Sequence, residues 1–440
     1  MKMFRRLTHF FVALVQKYLP DPFLFAVILT FIVFLMGIFL TDSTPYQMVQ
    51  HWGGGFWNLL TFSMQMVLVL VTGHALANSG PVKKILQGIA SAAKTPVGAI
   101  MITAFVAAIA SWINWGFGLV VGALLGREMA RQVKGVDYRL LIASAYIGFL
   151  TWHGGLAGSI PLALATPTDW SFELTGGINV GQTIFASYNL IIAIVLIITL
   201  PFLVRFMIPP KEEVFEIDPA LLKVEAEPED NLKAKTPAEK IENSPVISII
   251  LTVGAVIYLI WYFGGGGQLN LNIVNFIFLF AGIFFHWTPR RYIRALYEAV
   301  KGSGGIILQF PFYAGIMGMM ISSGLAALIS QWFVNISTPF SFPFFTFISA
   351  GIVNFFVPSG GGQWAVQGPI MIPAAMELGV DTARAAMSIA WGDAWTNMIQ
   401  PFWALPALGI AGLNARDIMG YCIIALLYSG IIIALGLLFL

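Results

Sequence analysis

The sequence contains few charged residues. Asp, Glu, Lys and Arg make up 10% of the 440 residues, whereas 58% are hydrophobic. A soluble domain carries about 25% charged residues, and a chain of this length would need them to cover its surface. We therefore expect lipid to be the solvent for much of that surface. The formal net charge of +2 is too small to indicate a nucleic-acid partner.

Cysteine and metal-binding patterns are equally scarce. Cys422 is the single cysteine, which excludes an intramolecular disulfide. The histidines are scattered without the spacing of metal ligands. No catalytic pair and no HExxH or CxxC motif is evident, as a membrane-embedded enzyme would require. Arg5 and Arg6 precede no short apolar core with a cleavage site, so we predict no cleaved signal peptide. We expect no cofactor, and the sequence identifies no metal ligands.

Long apolar runs, by contrast, are abundant. They predict an all-α polytopic membrane protein with about nine spanning helices, at residues 23–40, 56–77, 140–166, 182–208, 245–263, 271–287, 304–321, 385–413 and 418–440. Residues 4–19 predict an amphipathic helix on the membrane surface. Residues 209–244 are rich in charge and proline, which predicts a cytoplasmic linker. It divides the chain into a first transmembrane repeat, 1–208, and a second, 245–440.

The positions of Lys and Arg predict the orientation in the membrane. Basic residues cluster before the first span, at 83–94, 127–139, 205–211 and 290–301, which we expect to be cytoplasmic together with the N-terminus. Residues 167–181 contain two acidic residues and no basic one, so they should face outward. Both flanks of 96–126 are basic, which predicts a re-entrant hairpin there. Irregular backbone at membrane depth is tolerated where it is buried in protein or lines a cavity.

The second half repeats the first at an offset of 244 residues. Gly116, Gly118 and Gly148 correspond to Gly360, Gly362 and Gly392, and the tripeptide at 135–137 recurs at 379–381. The partner of the first hairpin is then a second one near 340–370. The ends of the first hairpin should lie inside and those of the second outside, so we predict two inverted repeats, as in many secondary transporters. Arg384 is left near the outer face, against the trend.

The two hairpin breaks are candidate binding sites. At the second break, glycine N–H groups, a serine hydroxyl and the positive end of a helix suit a substrate carboxylate. The first break offers an asparagine carbonyl as an ion ligand, and tryptophans are expected to pack against an acyl tail. A glycine hinge or tight helix packing is the alternative. The candidates are Asn114, Trp115, Gly116, Gly118, Ser359, Gly360, Gly361, Gly362, Gln363 and Trp364.

Two further spans are predicted to be broken and to present polar side chains. Thr151 and His153 belong to the first, and the second contributes Asp393, Thr396, Asn397 and Gln400. A carboxylate at the membrane centre costs about 2.5–3.5 kcal/mol, which makes Asp393 a candidate proton or cation site unless it lies near the interface. His153 is either a proton relay, a carboxylate ligand or a packing residue.

Several segments together resemble those of the bacterial short-chain fatty acid transporter family, and the resemblance extends over nearly the whole chain. They are Leu19-Pro20-Asp21-Pro22, Gly73-His74-Ala75-Leu76, Asn114-Trp115-Gly116-Phe117-Gly118, Phe149-Leu150-Thr151-Trp152, Gln309-Phe310-Pro311-Phe312, residues 357–362 and Gln400-Pro401-Phe402-Trp403. The resemblance implies an inner-membrane importer of monocarboxylates such as butyrate or acetoacetate. A wider group of ion transporters implies a homodimer and elevator-type movement.

A coupling cation, H⁺ or Na⁺, is expected because moving one negative charge inward against 100 mV costs about 2.3 kcal/mol. Three alternatives remain open. A transporter of dicarboxylates or other organic anions would need more positive charge at the site than the breaks contain. A passive channel would favour a continuous pore over paired hairpins. The third alternative is the membrane-embedded enzyme.

Overall fold

The structure is a computed structural model that describes residues 22–218, 222, 236–355, 357–400 and 402–440. The predicted surface helix at 4–19 and most of the predicted linker lie outside these residues. Within them, every regular element is a helix. Up to the linker, the helices are α1 (Pro22–Leu40), α2 (Pro45–Gly55), α3 (Leu60–Ala77), α4 (Gly80–Ala92), α5 (Pro96–Ile113), α6 (Trp115–Gln132), α7 (Tyr138–Gly148), a 3₁₀ helix (Phe149–Gly154), α8 (Ser159–Leu164), α9 (Trp170–Thr175) and α10 (Ser187–Arg205).

The helices that follow match many of these at the predicted offset. They are α11 (Pro237–Glu242), α12 (Pro245–Gly264), α13 (Leu271–His286), α14 (Pro289–Val300), α15 (Gly304–Ser322), α16 (Leu325–Ile336), α17 (Phe342–Val353), α18 (Gly360–Leu378), α19 (Thr382–Thr396), α20 (Ala404–Ala411) and α21 (Ala415–Phe439). Short 3₁₀ turns occupy Lys211–Glu213 and Lys301–Ser303. The bounds of α2 to α8 recur, within a few residues, as those of α14 to α20.

The described chain is a multi-span membrane protein, as predicted. Eight segments are long and apolar enough to cross a bilayer: Phe23–Leu40, Leu60–Ala77, Pro96–Ile113, Tyr138–Leu164, Ser187–Arg205, Pro245–Gly264, Pro289–Ser322 and Ala415–Phe439. The set differs from the expected nine in three places: Pro96–Ile113, predicted as an arm of the first hairpin, is added, and two predicted spans are missing. The run at 271–287 forms a helix of 16 residues, short of the ~20 that a span needs, and the run at 385–413 is divided between α19 and α20.

The hairpin breaks arise where a polar side chain ends one helix and begins the next. Asn114 is extended (φ −158°, ψ 127°), and its Oδ1 accepts the N–H of Phe117 at 2.9 Å. Ser359 is likewise extended (φ −154°, ψ 115°), and its Oγ accepts the N–H of Gly362 at 3.4 Å. Each side chain caps the orphan N–H groups of the helix that follows, which fixes where α6 and α18 begin.

Helices of the two halves pack reciprocally around α3 and α15. From the first half, α1 and α2 pack on α15, and from the second half, α13 and α14 pack on α3. At the crossing of α3 and α15, the rings of Phe62 and Phe310 are 5.8 Å apart. The repeated glycines also have matching contacts, since Gly148 packs on α5 and Gly392 packs on α17. Both hairpin breaks lie beside this crossing, since Trp115 and Ser359 line one cavity with Met66 and Phe310.

Two of the basic segments lie side by side. Phe215 donates its N–H to Asp137 at 2.8 Å, and Arg139 donates to the Glu213 carbonyl at 3.2 Å. The start of the linker therefore lies on the basic loop between α6 and α7. Arg384, the exception among the basic residues, lies over the ring of Tyr188 at 4.9 Å, a cation–π contact that stabilises its charge.

Candidate functional site

A central cavity lies between the two hairpin breaks. Its apolar walls come from α3, α15 and the 3₁₀ helix, and consist of Met66, Phe149, Ile306 and Phe310. Trp115, Trp152 and Trp403 form a second wall, and Ser159, Ser359, Gly360 and Gly361 form its polar end. The cavity is narrow: the centre of a water molecule can move within about 10 Å³, which is room for about one water. A larger molecule can enter only if the walls move.

The polar end of the cavity is the N-terminus of α18. The first N–H groups of a helix have no partner within it, and the helix dipole places partial positive charge there. Gly360 and Gly361 are the first two residues of α18, and Ser359 adds its hydroxyl beside them. A Cβ on Gly360 would lie 2.7 Å from Ser159 Oγ and from the Trp152 ring. Glycine at this position therefore lets Ser159 and Trp152 approach the end of the helix closely.

Three indole N–H groups on the cavity wall lack hydrogen-bond partners among the described residues. They belong to Trp115, Trp152 and Trp403, whose side chains are 4%, 3% and 7% exposed. The rings of Trp115 and Trp152 are 6.0 Å apart, and those of Trp115 and Trp403 are 5.1 Å apart. A buried donor without a partner costs about 1–3 kcal/mol, so three of them together suit a ligand that accepts hydrogen bonds. None of the described side chains lining the cavity is charged.

His153 links the cavity to a buried carboxylate. Its Nδ1 lies 2.8 Å from Asp393 Oδ2, and its Nε2 lies 3.0 Å from Ser159 Oγ. Nε2 also accepts the backbone N–H of Ile160 at 3.2 Å, so this nitrogen carries no proton and Nδ1–H donates to Asp393. Both side chains are shielded from solvent, since His153 and Asp393 are 0% exposed. Asp393 Oδ1 has no hydrogen-bond partner in the part of the chain that the structure describes.

A polar cluster surrounds the end of α19, beside Asp393. Asn354 Nδ2 contacts the Asp393 carbonyl at 2.9 Å, Thr396 Oγ1 at 3.0 Å and Asn397 Oδ1 at 3.1 Å. Gln400 lies at the same end, and its Oε1 accepts the N–H of Phe402. The structure thus brings together the polar residues predicted from the second broken span, and adds Asn354, which the sequence did not single out.

Three predicted site residues lie away from the cavity. Thr151 donates to the Ala108 carbonyl at 2.7 Å, and Gln363 donates to the Ala350 carbonyl at 2.8 Å, so both bind backbone of the preceding hairpin arm. Trp364 packs against Trp170, with ring centroids 5.6 Å apart. These side chains hold helices together, and the tryptophans that line the cavity are Trp115, Trp152 and Trp403.

The remaining predicted residues pack around the breaks. Gly116 backs onto the main chain of Leu70, and Gly118 onto that of Ser111, while Gly362 faces the ring of Tyr313. Asn114 is fully buried, with its Oδ1 engaged by the α6 cap and its Nδ2 without a partner in the described ranges. The first break therefore supplies mainly packing, with Trp115 as its contribution to the cavity wall.

Several cavity residues were missed by the sequence reasoning. Trp152 and Ser159 lie in the first broken span, and Trp403 follows the second, so proximity to a break was an available signal. Phe149 and Phe310 carried no such signal, because an apolar ring in an apolar span is ordinary lipid or core packing. No group of three His, Cys, Asp or Glu side chains suited to a metal occurs within the described residues.

The chain is similar to known proteins over nearly its whole length. The model of a family described as short chain fatty acid transporter matches residues 3–440. Two relatives carry the name "Putative short-chain fatty acid transporter". One, from Escherichia coli strain K12, is 51% identical over 437 residues, 99% of each chain. The other, from Haemophilus influenzae, is 49% identical over 449 residues, 100% of each chain.

Among solved structures, the chain is similar to the YdaH transporter of Alcanivorax borkumensis, with a TM-score of 0.58 and 17% identity over 95% of this chain and 97% of that one. MtrF of Neisseria gonorrhoeae, described with a class of antimetabolite efflux pumps, gives a TM-score of 0.51 and 12% identity over 98% and 97%. These likenesses show a shared transporter fold. The family match, which spans nearly the whole chain, shows more: the protein belongs to the short chain fatty acid transporter family, a family of transporters and not of enzymes.

Proposed function

We propose that the protein imports short-chain monocarboxylates, such as butyrate or acetoacetate, across the bacterial cytoplasmic membrane together with a cation. The observation that carries this proposal is an uncharged aromatic cavity at the N-terminus of α18. One carboxylate would accept hydrogen bonds from the first N–H groups of that helix and from Ser359. The apolar wall formed by Met66, Ile306 and Phe310 suits a short acyl tail.

The charge of the cavity favours a single carboxylate over two. A second carboxylate would be buried against tryptophan and phenylalanine rings without a cationic partner, which is costly. Dicarboxylates and other organic anions are the alternative substrates. The same uptake assay separates them from monocarboxylates.

We further propose two inverted repeats, with domains at 1–208 and 245–440 joined by a cytoplasmic linker at 209–244. Antiparallel crossing of α3 and α15 supports the inversion, because Phe62 contacts Phe310 while Met66 and Ile306 line the same cavity. The inferred orientation places the N-terminus in the cytoplasm, supported by the contact of the linker with the basic 134–139 loop. A homodimer rests on the wider resemblance.

Re-entrant hairpins near 96–126 and 340–370 are part of the same proposal. The uncharged part of α6 extends from Trp115 to Gly126 and rises about 18 Å at 1.5 Å per residue. That length is short of the ~30 Å hydrocarbon core, so the break at Asn114 would lie within the membrane. The narrow cavity supports alternating access, in which the hairpins move to admit a substrate, over a continuous pore.

The test is uptake of labelled butyrate into vesicles containing the purified full-length protein. Gradients of pH and of Na⁺ are imposed separately, and vesicles without protein measure the leak of undissociated acid. We expect protein-dependent uptake that unlabelled acetoacetate inhibits and succinate does not. Uptake of succinate in place of butyrate would contradict the monocarboxylate assignment.

A further inference from the structure

A chain of hydrogen bonds connects the cavity to Asp393. Ser159 lines the cavity, and its Oγ contacts His153 Nε2 at 3.0 Å. The opposite nitrogen, Nδ1, contacts Asp393 Oδ2 at 2.8 Å. The exposed fractions of Ser159, His153 and Asp393 are 1%, 0% and 0%. Any proton that reaches Asp393 by this chain therefore comes from the cavity and not from bulk water.

The surroundings of Asp393 supply too few hydrogen bonds and too little positive charge to stabilise an ionised carboxylate. One oxygen accepts the N–H of His153, and the other, Oδ1, has no hydrogen-bond partner among the residues described. The titratable groups that interact with it are His153 and Tyr146 on α7, and Cys422 on α21 lies near Tyr146. The sequences of α17 and α8 contain no titratable residue, and Glu377 of α18 lies at the far end of that helix from the cavity. No Lys or Arg in the described contacts neutralises this carboxylate, so a bound cation would stabilise it.

The chain of hydrogen bonds from Ser159 through His153 to Asp393, here called the relay, is present in only one of the two repeats. At the offset of 244, Asp393 corresponds to Phe149, and Ser159 corresponds to Trp403. His153 corresponds to Asn397, whose side-chain amide neither gains nor loses a proton near neutral pH. The other repeat thus folds with the apolar ring of Phe149 at the position that corresponds to Asp393. The fold itself does not require a carboxylate there, which points to a functional reason for Asp393.

We infer that the coupling cation is a proton, and that Asp393 binds it through His153 and Ser159 while the substrate occupies the cavity. This inference rests on the proposed function. A proton from the cavity is added to His153 Nε2 as the Nδ1 proton passes to Asp393 Oδ2. The products are a neutral imidazole with its proton on Nε2 and a neutral carboxylic acid. With one monocarboxylate in the cavity, the loaded protein carries no added net charge across the membrane potential.

Loading of the substrate and of the proton are coupled through the same groups. Ser159 Oγ is close to Gly360, where a Cβ would lie 2.7 Å away, so a carboxylate at the α18 terminus would lie beside the relay. The negative charge of the substrate favours a proton on the relay, and a neutral Asp393 removes a repelling charge from the substrate. Each ligand therefore increases the affinity for the other by the same factor.

The experiment compares Asp393→Asn with Asp381→Asn in the same vesicles. Asp381 caps the other end of α19 through the Ala383 N–H at 2.9 Å, and asparagine caps a helix about as well. Two rates are measured: initial butyrate uptake driven by an inward pH gradient, and exchange of labelled for unlabelled butyrate at equal pH. Exchange needs no net proton movement, so it reports folding and substrate binding.

We expect Asp393→Asn to lower gradient-driven uptake at least about tenfold while exchange stays within about threefold of wild type. Asp381→Asn should retain both rates. Gradient-driven uptake that persists in Asp393→Asn would overturn the inference, and so would wild-type uptake driven by Na⁺ alone at equal pH. Wild-type protein that neither exchanges nor takes up butyrate would overturn the proposed function instead.

A second variant covers the case in which Asp393→Asn does not fold. His153→Asn introduces the residue found at the corresponding position of the other repeat and breaks the relay at its middle. We expect the same loss of gradient-driven uptake with exchange retained. Retention of gradient-driven uptake in this variant would equally refute a proton route through His153.

Discussion

The two hairpin breaks have the same backbone design and different surroundings. Asn114 and Ser359 are both extended residues that cap the following helix. The glycines after Asn114 face main chain, with Gly116 against Leu70. The glycine after Ser359 faces the side chains of Trp152 and Ser159, which line the cavity, and that of His153, which lies beside it. One break therefore packs against its own scaffold, and the other places a helix terminus at the cavity.

Under the proposed function, this difference would give two matched elements a single site. The same helix–break–helix element would serve as packing in the first half and as a binding surface in the second. The groups that face the glycine after each capping residue, main chain at Gly116 and side chains at Gly360, decide which role the element has. Substitutions at matched positions of the two breaks should therefore have effects of different kinds.

The largest effect is expected from Gly360→Ala. The added methyl group would occupy the polar end of the cavity, 2.7 Å from Ser159 Oγ, and we expect butyrate uptake to fall about 100-fold or more. Gly409→Ala is the control, because its Cβ would meet no atom within 4 Å. Uptake per folded molecule decides the result, and near-normal uptake by Gly360→Ala would remove the α18 terminus from the site.

Gly116→Ala should act on stability rather than on transport. Its Cβ would lie 2.8 Å from Leu70 Cα, and such overpacking costs about 1–3 kcal/mol. We expect a lower unfolding temperature of the purified protein, with uptake per folded molecule close to wild type. An unchanged unfolding temperature together with lost uptake would mean that the first break also binds the substrate.

Ser359→Ala and Asn114→Ala sharpen the same contrast at the capping residues. Ser359→Ala removes a hydroxyl from the cavity, and we expect the KM for butyrate to rise about tenfold. Asn114→Ala removes a 2.9 Å cap bond and should cost about 1 kcal/mol of stability with little change in KM. Measured KM values and unfolding temperatures for both variants test the pair, and equal rises in KM would contradict the division of roles.

The smallest effect is expected from replacing single indoles. Trp152→Phe keeps a ring in the cavity wall and removes one N–H donor, so we expect KM to rise about threefold to tenfold. Trp364→Phe is a matched control, because its indole nitrogen also lacks a partner in the described structure but lies outside the cavity. If both variants changed KM equally, the effect would come from packing and not from hydrogen bonding to the ligand.

The sequence predicted the elements of this site better than their contacts. The breaks at Asn114 and Ser359 were visible because polar and glycine residues interrupt apolar runs, and the offset of 244 residues paired them. The pairing of His153 with Asp393 was not visible, because 240 residues separate them and no local pattern records which side chains meet. Trp364, predicted to pack against an acyl tail, contacts Trp170 instead. The sequence alone does not show which face of α18 points toward the cavity, because that depends on the helices packed around it.

Some properties follow from the sequence by itself. Scarce charge and long apolar runs require a membrane protein, and the positions of glycine, proline and polar caps determine where its helices end. The reciprocal packing of the halves, the cavity and the Ser159–His153–Asp393 chain were decided by tertiary structure alone. The physical reason is that hydropathy acts residue by residue along the chain, whereas a binding site depends on which faces of distant helices come into contact.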